Sequence, residues 1–273
     1  MRYAAIFGCF LLSFAAWGQT YRGQVLDSLS RRPIAYVNIG IVGQGLGTVS
    51  DPNGQFRLAV PDSLQTDLVR FSCVGYRPVS FRVSDFILLL STQSPILMQE
   101  DIMALPEIVI KKEKLKKDIW GRRNTTKQWK VGSAKNQLGH EFGIYIQAKA
   151  QPAFLDFLEL SIAENHYGLV KFRLNVYNTQ DGLPHQLLNR ENNLVQTRIQ
   201  KGIWKINLKP YEIVVNGDFC VVLEWIEDLG EDALLFSWDV KPNNDNYTVS
   251  RLTSQDEWSR NKTTPGFWVG VSY

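Results

Sequence analysis

The sequence predicts an all-β protein that consists of two β-sandwiches, and three observations lead to that fold class. Short runs in which apolar and polar residues alternate recur roughly every 8–12 residues. Turn-forming residues separate these runs, as in Asp51-Pro52-Asn53-Gly54, where proline presets φ and Asn-Gly tolerates positive φ. No helical run interrupts the strand-like runs of the N-terminal third.

Length and composition allow a real core but indicate no particular ligand. The chain has 273 residues, of which 44% are hydrophobic and 21% charged, so there is room for one large domain or two ordinary ones. This composition excludes a wholly disordered or fibrous chain. The formal net charge of +3 is too small to indicate nucleic-acid binding by the chain as a whole.

Residues 1–18 have the pattern of a secretory signal peptide. Arg2 precedes an apolar run that is too short for a comfortable permanent membrane anchor. Ala16 and Gly18 place small residues before Gln19, as a signal-peptidase cleavage site requires. No later segment has ~18 uninterrupted apolar residues. We therefore expect an exported mature chain without a transmembrane span, located in the periplasm, at the outer-membrane surface or in the medium.

Residues 19–99 are predicted to form the first sandwich. In the run after the Asp-Pro-Asn-Gly turn, Phe56, Leu58 and Val60 share one face, and polar or small residues occupy the other. Similar alternation recurs before and after this run. We expect strands in residues 21–26, 33–42, 55–60, 69–73 and 81–83, with the last one or two strands in residues 86–98.

Residues 100–131 change composition abruptly and are predicted to be a basic linker. The local charge is +7 within about twenty residues, and a run of this density is usually a solvated linker. The alternatives are contact with anionic lipid head groups, with surface polysaccharide, or with an acidic face of a partner or of the chain's own sandwiches. The candidate contact residues are Lys111, Lys112, Lys114, Lys116 and Lys117.

Residues 132–273 are predicted to form a jelly-roll-like second sandwich. The clearest strand covers residues 170–177, where apolar and polar side chains alternate strictly. Nine or ten strand candidates in this region suit two packed sheets, an arrangement that limits exposed sheet edges. Cys73 and Cys220 fall in different predicted sandwiches, so separate buried thiols are favoured over a disulfide.

An ordered set of motifs in the first predicted sandwich is similar to a known family. The motifs are Gly23-Gln24-Val25, Pro33-Ile34-Ala35-Tyr36-Val37, Gly47-Thr48-Val49-Ser50-Asp51, Gly54-Gln55-Phe56 and Phe71-Ser72-Cys73-Val74-Gly75-Tyr76. Together they resemble the carboxypeptidase regulatory-like domain. The resemblance implies a seven-stranded transthyretin-like sandwich in an exported protein of Gram-negative bacteria. It implies no peptidase activity, because this domain is an accessory sandwich.

The residues that could carry catalysis show no catalytic pattern. The three histidines, His140, His166 and His185, lack the spacings that zinc peptidases use. No Gly-x-Ser-x-Gly elbow is present. The glycine-rich residues 40–47 lack the Gly-Lys-Ser/Thr ending of a phosphate loop and are interpreted as a flexible hairpin. We therefore expect neither an enzyme nor a cofactor.

An acidic cluster leaves two alternatives open. It surrounds the turn at Gly230, and a solvated turn is the favoured interpretation. Loop carboxylates of a jelly roll can bind Ca²⁺, so a calcium site is one alternative. A pair of carboxylates for glycoside hydrolysis is the other. The cluster consists of Glu224, Glu227, Asp228, Glu231 and Asp232.

Tryptophans give the remaining indication of a ligand. We expect at least three of the five in the second sandwich to lie in its core, and Trp258, with polar neighbours, to be the candidate for an exposed ring that contacts a ligand.

The predicted function is a non-enzymatic binding or interaction protein of the cell envelope. It would recognise a surface glycan, a peptide or an envelope protein through the second sandwich. The alternatives are a hydrolase of the glycoside hydrolase type in that sandwich and a purely structural envelope component.

Overall fold

The computed structural model describes residues 19–101, 115–125, 130–133, 137–241 and 245–273. Residues 19–101, here the N-terminal sandwich, form two packed sheets. Their elements are β1 (Gln19–Asp27), β2 (Asn38–Ile41), β3 (Gly47–Val49), β4 (Gln55–Val60), a 3₁₀ turn (Asp62–Leu64), β5 (Leu68–Ser72), β6 (Val79–Arg82), α1 (Val83–Ser91) and β7 (Ile96–Met98). One sheet has the order β4-β1-β7 and the other β3-β2-β5-β6. The predicted seven-stranded sandwich is confirmed.

The strand β4 follows the alternation that the sequence predicts. Its apolar side chains are buried in the core, and the side chains between them are exposed. Gly54, in the turn before β4, has φ +71°, and a Cβ there would lie 2.5 Å from the main-chain oxygen of Val25. Only glycine meets both requirements without strain.

A helix follows β6, so the expectation of strands throughout residues 86–98 is wrong for its first part. The chain forms α1 there, and the last strand is β7 alone. A continuous apolar run cannot distinguish a strand from a buried helix by its period. In the structure this run is a helix. Val83 and Phe86 lie on the helix face that packs into the core, and Leu88 lies on an exposed face.

The C-terminal sandwich, residues 115–273, also consists of two sheets. Its strands are β8 (Lys117–Gly121), β9 (Lys130–Ser133), β10 (Glu141–Ile146), β11 (Ala153–Asn165), β12 (Val170–Gln180), β13 (Leu183–Leu187), β14 (Leu194–Thr197), β15 (Gly202–Asn207), β16 (Val214–Val215), β17 (Phe219–Trp225), β18 (Leu234–Asp239), β19 (Asn246–Arg251), β20 (Ser259–Asn261), β21 (Thr264–Pro265) and β22 (Phe267–Ser272). A 3₁₀ turn spans Lys209–Tyr211.

The two sheets of the C-terminal sandwich enclose one large apolar core. The first sheet has the order β13-β12-β17-β10-β19-β20, with β14 also paired to β12. The second has the order β21-β18-β11-β22-β8, with β9, β15 and β16 attached at its sides. The chain crosses between the sheets repeatedly, for example from β10 to β11 to β12, so both sheets contribute to the core. The predicted all-β fold is confirmed. Among the described residues, no helix has the length and apolarity needed to cross a lipid bilayer.

Parts of the expected basic linker are strands of the C-terminal sandwich. β8 pairs with β22, and β9 pairs with β18. The indole of Trp120 is buried in the apolar core, which fixes β8 to the sheet. The expectation that all of residues 100–131 form a linker is therefore wrong for these two strands. The high charge density of this segment predicts a solvated chain, but Trp120 is a core residue. Residues 102–114 and 126–129 lie outside the described residues.

Replacing Phe86 with alanine tests the packing of α1. The ring is fully buried, with its centroid 5.8 Å from that of Phe71 and 6.2 Å from that of Phe56. Phe86→Ala should therefore lower the free energy of unfolding of the N-terminal sandwich by about 3–5 kcal/mol. Leu88→Ala is the matched control, because Leu88 is 67% exposed and its loss should cost no more than about 0.5 kcal/mol. Urea denaturation measures both, and equal effects would contradict this position of α1.

Candidate functional site

The outer face of the first sheet of the C-terminal sandwich carries three rows of side chains that cross its central strands. In each row, one residue comes from each of β12, β17, β10 and β19, in that order. The first row, here the charged row, is Arg173, Glu224, Glu141 and Arg251. The second row is Asn175, Val222, Gly143 and Val249. The third row is Tyr177, Cys220, Tyr145 and Tyr247.

The charged row is electrically neutral, and its side chains are buried except that of Arg251, which is 14% exposed. Arg173 Nη1 donates to Glu224 Oε2 at 3.0 Å, and Arg251 Nε donates to Glu141 Oε1 at 2.8 Å. Asn175 Nδ2 donates to Glu224 Oε2 at 2.9 Å. Both carboxylates are fully buried, which is tolerable because each has an arginine as its partner.

Burial acts on the pKa values of Glu224, Arg173 and Tyr177. Burial raises the pKa of the Glu224 carboxyl, and the adjacent Arg173 counteracts part of that rise. Burial also works against the charge of Arg173, but the attraction of Glu224 outweighs it and the pKa of Arg173 lies above its ordinary value. Burial and then Glu141 raise the pKa of Tyr177. Tyr177 therefore remains protonated and donates from Oη to Glu141 Oε2 at 2.9 Å.

The N-terminal sandwich covers the Arg173 end of the charged row. Arg173 Nη1 donates to Asn38 Oδ1 at 2.9 Å, and Arg173 Nη2 donates to the main-chain oxygen of Tyr36. Beside these contacts, Tyr36, Val49 and Ile226 form a small apolar cluster between the two sandwiches. One guanidinium thus binds groups of both sandwiches.

The glycine-rich residues 40–47 belong to the same interface. Gly43 N donates to Gln255 O at 2.9 Å. A Cβ on Gly40 would lie 2.9 Å from Gln255 Cγ, and one on Gly47 would lie 3.1 Å from the Thr253 side chain. Glycine therefore lets the C-terminal sandwich approach this hairpin closely. The interpretation of these residues as merely a flexible hairpin missed that role.

Cys73 and Cys220 are free thiols, as predicted. Cys220 lies in the third row of the outer face, while Cys73 lies at the interface, where Asn192 Nδ2 donates to its Sγ at 3.3 Å. Burial raises the pKa of both thiols, so both are held in the protonated form.

Trp258 lies on the outer face near the other end of the charged row. Its half-buried ring meets Tyr177 edge to face, with centroids 5.5 Å apart. The Arg251 guanidinium carbon is 4.3 Å from the centroid of the Trp258 ring, a cation–π contact. Ligand contact by Trp258 remains a prediction, and these neighbours already use part of its ring. The prediction that at least three of the five tryptophans are core residues is confirmed, since Trp204, Trp225, Trp238 and Trp268 are buried.

The acidic residues near Gly230 do not gather into one cluster. Glu224 belongs to the charged row, so its assignment to a solvated turn is wrong. Glu227 forms an ion pair with Lys171 and accepts a hydrogen bond from Tyr36 Oη at 3.3 Å. In the part of the chain that the structure describes, no three His, Cys, Asp or Glu side chains converge as a metal site would need.

Two of the five candidate lysines lie within the described residues. Lys116 exchanges main-chain hydrogen bonds with Tyr273, and its Nζ lies 5.5 Å from the centroid of the Tyr273 ring. Lys117 begins β8 and is exposed. Lys111, Lys112 and Lys114 lie outside the described residues.

Other cations of the basic segment bind the C-terminal sandwich itself. Arg122 forms an ion pair with Asp239, and Lys130 forms one with Glu164. Contact with the chain's own sandwich, one of the alternatives for this segment, accounts for these two residues.

A groove of about 940 Å³ lies where the two sandwiches meet. The outer face of β1 and β4 forms one wall, and the chain after β17 forms the opposite wall. Its lining includes Arg22, Gln24, Gln55, Arg57, Ile226 and Asp228. Interfaces between domains are preferred positions for ligand sites. The sequence gives no sign of this groove, because its walls come from distant parts of the chain and meet only through the interface.

Comparison with known proteins identifies the N-terminal sandwich. Residues 21–110 match the family model of the CarboxypepD_reg-like domain, which confirms the resemblance seen in the motifs. This match covers less than half of the chain and is not a functional assignment. No curated protein is significantly similar to the chain.

Removing one charge from the charged row should lower the free energy of unfolding much more than removing an oppositely charged pair. Arg173→Met leaves Glu224 buried without its partner and should cost about 3–5 kcal/mol of unfolding free energy. The double variant Arg173→Met/Glu224→Gln should recover most of that loss, because no uncompensated charge remains. Urea denaturation measures the stability of each variant.

The control for this experiment is Lys205→Met. Lys205 Nζ lies 2.9 Å from Glu159 Oε1, but the Lys205 side chain is 58% exposed, so its loss should cost less than about 1 kcal/mol. Small-angle scattering should show that the single Arg173 variant, unlike the control, lets the sandwiches separate. Equal losses for Arg173→Met and Lys205→Met would contradict the role of the charged row.

Proposed function

We propose that this chain is an exported, non-enzymatic binding protein of the cell envelope, whose ligand lies in the groove between the two sandwiches. The ligand is a peptide or glycan segment rather than a small molecule, since the groove is open to solvent and its volume is near the upper end of pockets that hold small molecules. The observation that carries the proposal is the groove itself, with walls from both sandwiches.

The interface supports this proposal because it holds the two walls in a fixed relation. Arg173 donates hydrogen bonds to Asn38 and to Glu224, which belong to different sandwiches. Gln255 O accepts a hydrogen bond from Gly43 N at 2.9 Å, and Gln255 Nε2 donates one to Ser72 Oγ at 3.0 Å. A groove that is preformed in this way binds its ligand with less loss of conformational entropy.

The polar groups of the groove favour binding over catalysis. Its described lining includes no histidine and no cysteine. Among its acids, Glu227 is paired with Lys171, and Asp51 Oδ1 accepts hydrogen bonds from the main-chain N–H groups of Asn53 and Gln55, both at 2.8 Å. The buried pair Glu141 and Glu224 is neutralised by arginines, which opposes a role as hydrolytic carboxylates.

Array binding with a blocked groove tests the proposed function. The chain from residue 19 to residue 273 is screened on peptide and glycan arrays, with and without calcium. Gln55→Trp places a bulky ring in the groove and should weaken binding of every true ligand at least about tenfold, which corresponds to ~1.4 kcal/mol. Ala59→Trp is the matched control, because Ala59 is exposed on the same face of β4 but outside the groove.

Two outcomes would contradict the proposal. If Gln55→Trp and Ala59→Trp bind the array ligands equally well, the ligand site is not this groove. If mass spectrometry finds that wild type cleaves a bound ligand, the hydrolase alternative replaces the binding function.

A further inference from the structure

We propose that the groove recognises a peptide segment with separated opposite charges. An acidic side chain of the peptide lies between Arg22 and Arg57, and a basic side chain lies at Asp228. This inference rests on the proposed function and specifies its ligand.

The two arginines form an uncompensated pair on one wall. Arg22 on β1 and Arg57 on β4 stand directly opposite each other in the antiparallel register, and both are exposed on the outer face. Opposite residues have Cβ atoms about 4.5–5.5 Å apart, and like charges at this position repel. Within the described part of the chain, neither arginine has an ion pair or a side-chain hydrogen bond. A carboxylate between them relieves the repulsion and receives charge-assisted hydrogen bonds.

The next pair along the same two strands adds neutral donors and acceptors. Gln24 and Gln55 also stand opposite each other and line the groove. Gln24 Nε2 donates to Asn53 O at 3.0 Å, which fixes that side chain in place and leaves its amide oxygen for a ligand. The arginine pair is thus followed by polar groups suited to the main chain or side chain of a bound peptide.

The opposite wall has the opposite charge. Asp228 is exposed and lines the groove, and its Oδ1 accepts a hydrogen bond from Gly230 N at 3.1 Å. No cation among the described residues pairs with Asp228. The neighbouring Glu227 is neutralised by Lys171, so Asp228 provides the uncompensated negative charge of this wall.

These charges favour a peptide over an acidic glycan. A polyuronate carries a negative charge on every sugar, so a chain of it that reaches the arginine pair also meets Asp228 with the wrong sign. The aromatic residues of the lining, Tyr36 and Phe56, are more than nine-tenths buried, and they offer no open ring for a sugar. Apolar side chains of the lining, including Leu90 and Leu229, suit the apolar residues of a peptide between its charged positions.

Three fluorescent nonapeptides test the pairing of charges. The dipolar peptide is Glu-Glu-Thr-Leu-Thr-Leu-Thr-Lys-Lys. The anionic peptide has glutamine in place of both lysines, and the cationic peptide has glutamine in place of both glutamates. Binding to the chain from residue 19 to residue 273 is measured by fluorescence polarisation, with an oligogalacturonate as the glycan competitor. The dipolar peptide should bind at least about tenfold more tightly than either of the others.

Each wall is then tested by its own substitution. Arg22→Gln/Arg57→Gln should weaken the dipolar and the anionic peptide about tenfold or more and leave the cationic peptide unchanged. Asp228→Asn should weaken the dipolar and the cationic peptide and leave the anionic one unchanged. Arg32→Gln/Arg82→Gln is the matched control, because both arginines are exposed outside the groove and the net charge changes equally. Since Arg22→Gln/Arg57→Gln removes a repulsion, its Tm should not fall, which separates loss of a ligand contact from loss of structure.

The outcomes that overturn this inference differ from those that overturn the proposed function. If the two arginine double variants change the affinity of each peptide to the same extent, only the net charge of the chain matters. If oligogalacturonate displaces the dipolar peptide at lower concentration than unlabelled peptide does, an acidic glycan is the ligand. In that case, loss of glycan binding in Gln55→Trp would still mean that the ligand occupies the groove. The proposed function would then stand.

Discussion

The buried charged row is the interaction on which the arrangement of the two sandwiches depends. Two carboxylates and two guanidinium groups leave water together, and the cost is bearable only because each charge has a partner of opposite sign. Arg173 needs more acceptors than Glu224 supplies, and the N-terminal sandwich provides them from Asn38 and Tyr36. Docking therefore adds two acceptors for Arg173 that the sheet alone does not supply, while Arg173 Nε has no hydrogen-bond partner among the described residues.

The other features of the interface follow from that requirement. The glycines of residues 40–47 let the main chain of the N-terminal sandwich come close to Thr253 and Gln255, which follow β19. Once the sandwiches are held together, the outer face of β1 and β4 stands opposite the chain after β17, and a groove remains between them. The groove is thus a consequence of docking, and its two walls carry uncompensated charges of opposite sign at Arg22, Arg57 and Asp228.

The parts of the fold that the sequence predicted well are those that a single strand decides by itself. β4 and β12 have a period of two because each packs one face into a core, and that pattern survives in any β-sandwich. The failures have a different origin. The apolar run of α1 is continuous, so its periodicity does not distinguish a helix from a strand. In β8, the burial of Trp120 holds the strand in the sheet although most of its neighbours in sequence are charged. Both were settled by packing against distant elements.

By itself, the sequence determined the all-β class, the inward face of its clearest strands and the family of the N-terminal sandwich. Only the tertiary structure decided what covers the outward faces. The polar side of β12 predicts a solvent-exposed face, yet Arg173 and Asn175 are buried there. Alternation of apolar and polar residues indicates that a strand has two different faces. It does not distinguish an arginine that is exposed to water from one that is paired with a carboxylate of another strand. The partners of such a residue, and the groove that their contact creates, depend on distances across the fold between residues far apart in the chain.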